Sequence, residues 1–159
     1  MKPQPSQNLH NLEIINESTQ EPDEASLQKA FELVCRKELP QREAKICLLI
    51  CESQRMRKLN RIYRGSDQDT DVLSFSSDFT DANGSKDDNH PLRGDIVVDI
   101  NQADKQKDFN SLNLELQKLV IHGMLHLLGY DHIKKQDKDI MEQKESYYYD
   151  KLRGTQQGG

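Results

Sequence analysis

Three of the chain's five histidines, His122, His126 and His132, fall inside one stretch, V-I-H-G-M-L-H-L-L-G-Y-D-H. His122 and His126 are four apart in a run with helical character, which directs both imidazoles from one face, about 6 Å apart along the axis. Gly129 is the residue type that ends a helix in a left-handed conformation, so the chain can turn back and bring His132 in as a third nitrogen. Two histidines alone on an apolar helix are as readily a hydrogen-bonded pair; the third histidine and the glycine favour a metal. Three neutral nitrogens leave one tetrahedral position open, which is the catalytic arrangement of zinc, whereas structural zinc is normally closed by four ligands with cysteine among them. The expectation is one zinc ion per chain, held by His122, His126 and His132.

The spacing H-x-x-x-H-x-x-G-x-x-H is that of the metzincin peptidases, but the glutamate that follows the first histidine in H-E-x-x-H enzymes and acts as their base is replaced by Gly123. A glycine in a helix interior costs about 1 kcal/mol relative to alanine. Its presence between two ligands is read as an opening through which substrate reaches the metal.

A second chemical feature is cationic. Arg55, Arg57, Lys58, Arg61 and Arg64 lie in a segment without an acidic residue, although the chain carries a net charge of −5. Such runs are usually solvated faces. This one ends in Y-R-G, where Gly65 stops the helix and leaves Arg64 at a terminus, able to reach into a cleft.

These residues need a scaffold. Residues 9–16 read as a first strand; Pro22-Asp23-Glu24 opens a helix whose stripe is Leu27, Ala30, Phe31, Val34 and Cys35. Ala44 to Cys51 is nearly all apolar and reads as a central strand. Helical spacing returns from Glu52 to Tyr63, Val72 to Ser76 is a short strand, and Gly94 to Ile100 is the last strand. The motif helix starts near Ser111, and a final helix spans about Gln136 to Leu152. The order predicts an α+β domain: a mixed sheet of about four strands covered by helices, with the zinc site on a helix near the C-terminus. One domain, residues 9–152, lies between disordered tails at 1–8 and 153–159; the polar segment from Asp78 to His90 reads as a mobile loop.

With 34% apolar and 31% charged residues, the core must be compact and the surface densely charged. The N-terminus has no apolar signal segment and the longest apolar run is I-C-L-L-I-C, which predicts a cytoplasmic protein without a membrane association. Three cysteines, Cys35, Cys47 and Cys51, fit a reducing compartment. Cys47 and Cys51 read as small hydrophobes of a buried strand, not as ligands. His10 reads as an exposed strand residue and His90 as a solvated loop residue. Asp131 is equally suited to hold a ligand imidazole or to form the turn.

Taken together, H-G-M-L-H-L-L-G-Y-D-H, the segment L-N-R-I-Y-R-G-S-D-Q-D-T-D-V-L-S-F and the strand G-D-I-V-V resemble the YbeY family of bacterial metal-dependent endoribonucleases, in order and in spacing. The resemblance covers most of residues 55–150 and is weak before residue 45. The chain lacks the prolines often found in the family just before Thr70 and after Phe75. The resemblance implies that His122, His126 and His132 bind zinc and that Arg64 and His122 are catalytic. It also implies cleavage of single-stranded RNA, a part in maturing the 3′ end of 16S rRNA and in ribosome quality control, and the ribosome or small-subunit assembly proteins as partners. Two other classes share the metal: a ribosome-assembly docking factor with a structural ion, and a metallopeptidase.

Overall fold

The computed structural model describes residues 9–77, 90–130 and 135–157. His132, Asp131 and most of the segment from Asp78 to His90 lie outside the described residues, as do both terminal stretches 1–8 and 158–159.

Strand β1 (His10–Asn16) is followed by helix α1 (Glu24–Glu38), strand β2 (Ala44–Cys51), helix α2 (Ser53–Arg64), strands β3 (Val72–Ser76) and β4 (Leu92–Asp99), and helices α3 (Ile100–Gln106), α4 (Leu112–Leu127) and α5 (Lys135–Gln157). Among the described residues these strands form one mixed sheet in the order β1-β2-β4-β3. β1, β2 and β4 run parallel, and β3 is antiparallel to β4, with Val72 opposite Val98 and Ser76 opposite Gly94. β2 and β4 are central, which is why A-K-I-C-L-L-I-C and I-V-V carry apolar residues at successive positions and not only at alternate ones.

Each face of the sheet has its own core. The larger gathers Leu12, Ile46, Leu48 and Ile96 from the strands with Phe31 of α1, the apolar side chains of α4, and Met141, Tyr148 and Leu152 of α5. The smaller holds Cys51, Leu73 and Val97 against Met56 of α2, with Leu49, Leu59 and Phe75 packed at its margin. Cys51 is buried as expected and Cys47, read in the same way, is half-buried; Cys35 of α1 is buried too, and burial pushes the Cys35 and Cys51 thiols up to about 12. Among the described residues no helix is long and apolar enough to cross a membrane.

Local chemistry explains the boundaries. Asp23 caps α1, its carboxylate accepting from the Ser26 amide at 3.3 Å, and Ser111 caps α4 through the Leu114 amide at 3.0 Å. α3 was not expected. The apolar run of β4 continues through Ile100, which reads as strand, but Asp99 accepts from the amides of Asn101 and Gln102 at 3.0 and 3.1 Å and starts a helix there. α5 runs on to Gln157, past Arg153 where composition predicts a tail.

α4 lies close against the sheet because two positions carry no side chain. A Cβ on Gly94 would stand 2.8 Å from the Phe75 carbonyl oxygen and 2.9 Å from Leu127, and a Cβ on Gly123 would stand 2.8 Å from Cγ2 of Ile96. Ser74 adds a hydrogen bond from its hydroxyl to the Gly123 carbonyl at 3.1 Å. Gly123 therefore faces β4. The expectation that it opens a path for substrate is corrected: helix-to-sheet contact, not access to a metal, requires the glycine.

Candidate metal centre and active site

α4 is apolar nearly all round, which anchors it in the larger core and leaves its two histidines half-buried at the margin. One helical turn separates them, and their rings stand edge to face with centroids 4.6 Å apart. The two Nε2 atoms converge to 3.1 Å. Two ligand nitrogens on a tetrahedral zinc, each bonded at 2.0–2.1 Å, stand about 3.3 Å apart, so the donor pair fits such an ion.

The helix then stops in a hydrogen-bonded turn. Gly129 has a φ of 99°; its amide donates to the His126 carbonyl and the Tyr130 amide to that of Leu125, both at 3.0 Å. Tyr130 is held in turn, its hydroxyl donating to Glu38 at 2.8 Å. Glu38 also accepts from Tyr148 and, at 3.0 Å, from Lys144. Burial pushes the Glu38 carboxyl up, but the hydrogen bonds from Tyr148, Tyr130 and Lys144 outweigh it and hold the group below its ordinary value. This cluster ties the ends of α1 and α4 to α5.

α5 also reaches His122. Oε1 of Glu145 lies 3.3 Å from His122 Nδ1, and the Tyr149 hydroxyl donates to the other carboxylate oxygen at 2.7 Å. Burial, then Glu145, push the Tyr149 phenol above its ordinary value, so it stays a donor. A proton on Nδ1 directed at Glu145 leaves Nε2 with its lone pair facing the His126 ring, the state a metal ligand needs. Glu145 approaches the nitrogen on the far side from that convergence, so it orients the ring and does not stand in for the base absent at Gly123. Reading by local motif missed Glu145 and Tyr149. The available signal was periodicity: Glu145 occupies the stripe of Met141, Tyr148 and Leu152, a carboxylate where a core residue is expected.

Arg64 arrives from the other side. Gly65, with a φ of 63°, ends α2 by donating to the Arg61 carbonyl at 3.0 Å, as its residue type predicts. Asn60, buried, fixes the following turn through the Gln68 carbonyl at 2.7 Å. Of the arginines on α2, Arg55 faces Glu17, Arg57 faces Asp69 and Arg61 faces Asp67, at 3.6, 3.5 and 2.9 Å. Arg64 instead donates to the Ser74 carbonyl at 2.9 Å, and no carboxylate neutralises it among the described residues. Arg64, Ser74, His122 and His126 line one open cleft of about 520 Å³, with Asn60 and Thr70 on its wall.

The structure thus brings together Arg64, His122 and His126, residues from α2 and α4 that are far apart in the chain. His132, the third expected ligand, is outside the described residues, and so is Asp131. His10 is elsewhere, its Nε2 2.7 Å from the Leu39 carbonyl oxygen, and is half-buried instead of exposed as expected. His90 is exposed.

Residues 10–153 match the family Endoribonuclease YbeY. The chain is 38% identical over 112 residues to the Endoribonuclease YbeY of Desulforamulus reducens, covering 69% of this chain and 73% of that protein. It is 39% identical over 126 residues to that of Desulfitobacterium hafniense, covering 77% and 78%. With that of Bacillus velezensis it shares 32% identity over 143 residues, covering 84% and 90%. The fold is similar to the solution structure of TM1509 from Thermotoga maritima, with a TM-score of 0.59, 25% identity and 93% of each chain covered. A family match over nearly all the described residues, together with relatives of this identity and coverage, shows that the chain belongs to the Endoribonuclease YbeY family and is an RNA-cleaving hydrolase.

Proposed function

We propose that the chain is a zinc-dependent endoribonuclease specific for single-stranded RNA, with one zinc ion held by His122, His126 and His132 and with Arg64 acting on the scissile phosphate. The observation that carries the reading is the convergence of the His122 and His126 Nε2 atoms to 3.1 Å in the cleft that Arg64 also lines. A bound zinc supplies Lewis acidity toward a phosphoryl oxygen and toward water.

The chain's own residues do the rest. Glu145, itself held by Tyr149, keeps His122 in the tautomer that presents Nε2. Tyr130, held by Glu38, fixes where the chain leaves α4 toward His132. Arg64 has a planar fork of donors suited to two phosphate oxygens, and its charge offsets the negative charge that builds on the phosphate during cleavage. Its bond to the Ser74 carbonyl holds the side chain in the cleft before substrate arrives.

A metallopeptidase is disfavoured by two observations. The position of its glutamate is Gly123, where even a Cβ meets Ile96, and Glu145 lies on the wrong nitrogen of His122 to act as that base. Against a pure docking factor, Arg64 alone of the α2 arginines has no carboxylate partner among the described residues, and it stands in the histidine cleft. By family membership we further propose a role in maturing the 3′ end of 16S rRNA and in ribosome quality control, in the cytoplasm, with the ribosome or small-subunit assembly proteins as partners. The test is cleavage of matched single-stranded and duplex RNA by the zinc-loaded protein. Cleavage of the single strand that chelation abolishes supports the reading; equal cleavage of the single-stranded and duplex substrates, or activity indifferent to chelation, overturns it.

A further inference from the structure

We infer that Tyr63 and Phe75 form a stacking platform that takes one unpaired base of the substrate at the rim of the cleft; the inference rests on the proposed single-stranded RNA substrate and deepens it. The apolar stripe of α2 runs through Met56 and Leu59 into the smaller core, and the next residue in line is Tyr63. There the stripe runs out of cover: Tyr63 is 65% exposed and its neighbour Ile62 is 61% exposed. Phe75, the aromatic residue of the edge strand β3, meets it, with ring centroids 5.4 Å apart and planes tilted by 59°.

Arg64 joins this pair to the chemistry. Its guanidinium carbon lies 5.7 Å from the centre of the Phe75 ring while the same side chain bonds the Ser74 carbonyl and lines the histidine cleft. Along β3 the side chains alternate. Ser74 faces α4, bonding Gly123, and Phe75 faces α2, so Arg64 crosses the sheet edge between the two. A phosphate gripped by Arg64 has its attached nucleoside within reach of the platform.

The surroundings suit a nucleic-acid strand. α2 carries five cationic side chains and no acid from Ser53 to Arg64; Arg55, Arg57 and Arg61 face carboxylates of other segments, whereas Arg64, next to Tyr63, bonds a backbone carbonyl. Aromatic faces bordered by arginine stack unpaired bases, whose rings are hidden in a duplex.

The test compares Tyr63→Ala, Tyr63→Leu and Tyr63→Phe in the zinc-loaded protein; Phe75 is left alone because it also closes the smaller core. Removing a stacking ring weakens binding roughly 5- to 150-fold. For a short single-stranded RNA, Tyr63→Ala is expected to raise KM by that factor with kcat retained, Tyr63→Leu to behave as Ala, and Tyr63→Phe as the parent. In parallel, 2′-O-methyl oligonucleotides of about ten nucleotides, with 2-aminopurine moved one position at a time, should show one position whose fluorescence is quenched on binding. That quench should persist in Tyr63→Phe and vanish in Tyr63→Ala and Tyr63→Leu. Unchanged KM in Tyr63→Ala, rescue by leucine, or no quenched position overturns the platform. The binding arm needs no turnover, so a parent protein that fails to cleave RNA defeats the nuclease reading and leaves the stacking result to stand or fall separately.

Discussion

Cγ2 of Ile96 on β4 lies 2.8 Å from where a Cβ on Gly123 of α4 would stand. Ile96 is fully buried and branched at Cβ, so it yields only by moving off its rotamer or by moving the helix. Gly123→Ala is therefore expected to destabilise by about 1–2 kcal/mol despite its better helix propensity, and pairing it with Ile96→Ala should recover part of the loss. Urea unfolding of the two single variants and the double variant measures the coupling. A Gly123→Ala protein as stable as the parent would mean that α4 does not need this close approach. Gly123→Glu should be worse, a folding defect and not a route to peptidase activity.

Glu145→Gln is expected to weaken zinc binding by about 10- to 100-fold, because the amide no longer holds the His122 Nδ1 proton with a charge. Tyr149→Phe removes the bond that steadies Glu145, together with a longer one to the Lys118 carbonyl, and should have a smaller effect of the same sign. Competition with a chromophoric chelator reads both. Parent-like affinity in Glu145→Gln would leave the carboxylate as a packing feature of α5.

Arg64→Ala should abolish most RNA cleavage while zinc content stays at the parent level and stability changes by no more than about 0.5 kcal/mol, as for an exposed side chain. Arg64→Lys should rescue poorly, since an ammonium lacks the planar fork. Activity measured with metal content and melting temperature separates the cases. Full cleavage by the alanine variant would reduce Arg64 to a surface charge.

Glu38 gives the fold an acid-sensitive joint. Its side chain is 8% exposed, and its pKa lies below the ordinary 4.5, so the folded state favours the charged form more than the unfolded state does. The stability it contributes is fully present above the ordinary carboxylate value and is lost as pH falls through the lowered folded value. Glu38→Gln should be less stable than the parent at neutral pH, with the gap closing on acidification. Urea unfolding of both proteins between neutrality and acid isolates the group, because titrations common to both cancel. A gap that widens as pH falls contradicts the assignment.

Much of this arrangement was legible in the residues themselves. β2 and β3 fall where their apolar runs place them, Ala44–Cys51 and Val72–Ser76, because a central strand and a short edge strand flanked by polar turns leave little choice of boundary. Gly65 and Gly129 both take the left-handed conformation expected of helix-ending glycines. α3 was hidden because Ile100 extends the apolar run of β4 while Asp99 caps a helix. Gly123 was misread because a glycine says only that a side chain is excluded, not by what; the excluding atom, on Ile96, comes from a strand far away in the chain. Glu145 was missed for the same reason, its partner lying 23 residues earlier on another helix. Local pattern specifies elements and their ends, whereas long-range packing decides which groups those elements bring together.

The central claim is that converging histidines on α4 hold a zinc ion that RNA cleavage requires. It is tested most directly by measuring zinc per chain and single-stranded RNA cleavage on the same preparations of the parent and His126→Ala proteins. The parent is expected to carry about one zinc per chain, and His126→Ala to lose that zinc and, in step with it, RNA cleavage. Full zinc occupancy in His126→Ala, or undiminished cleavage by a zinc-free variant, would contradict the claim.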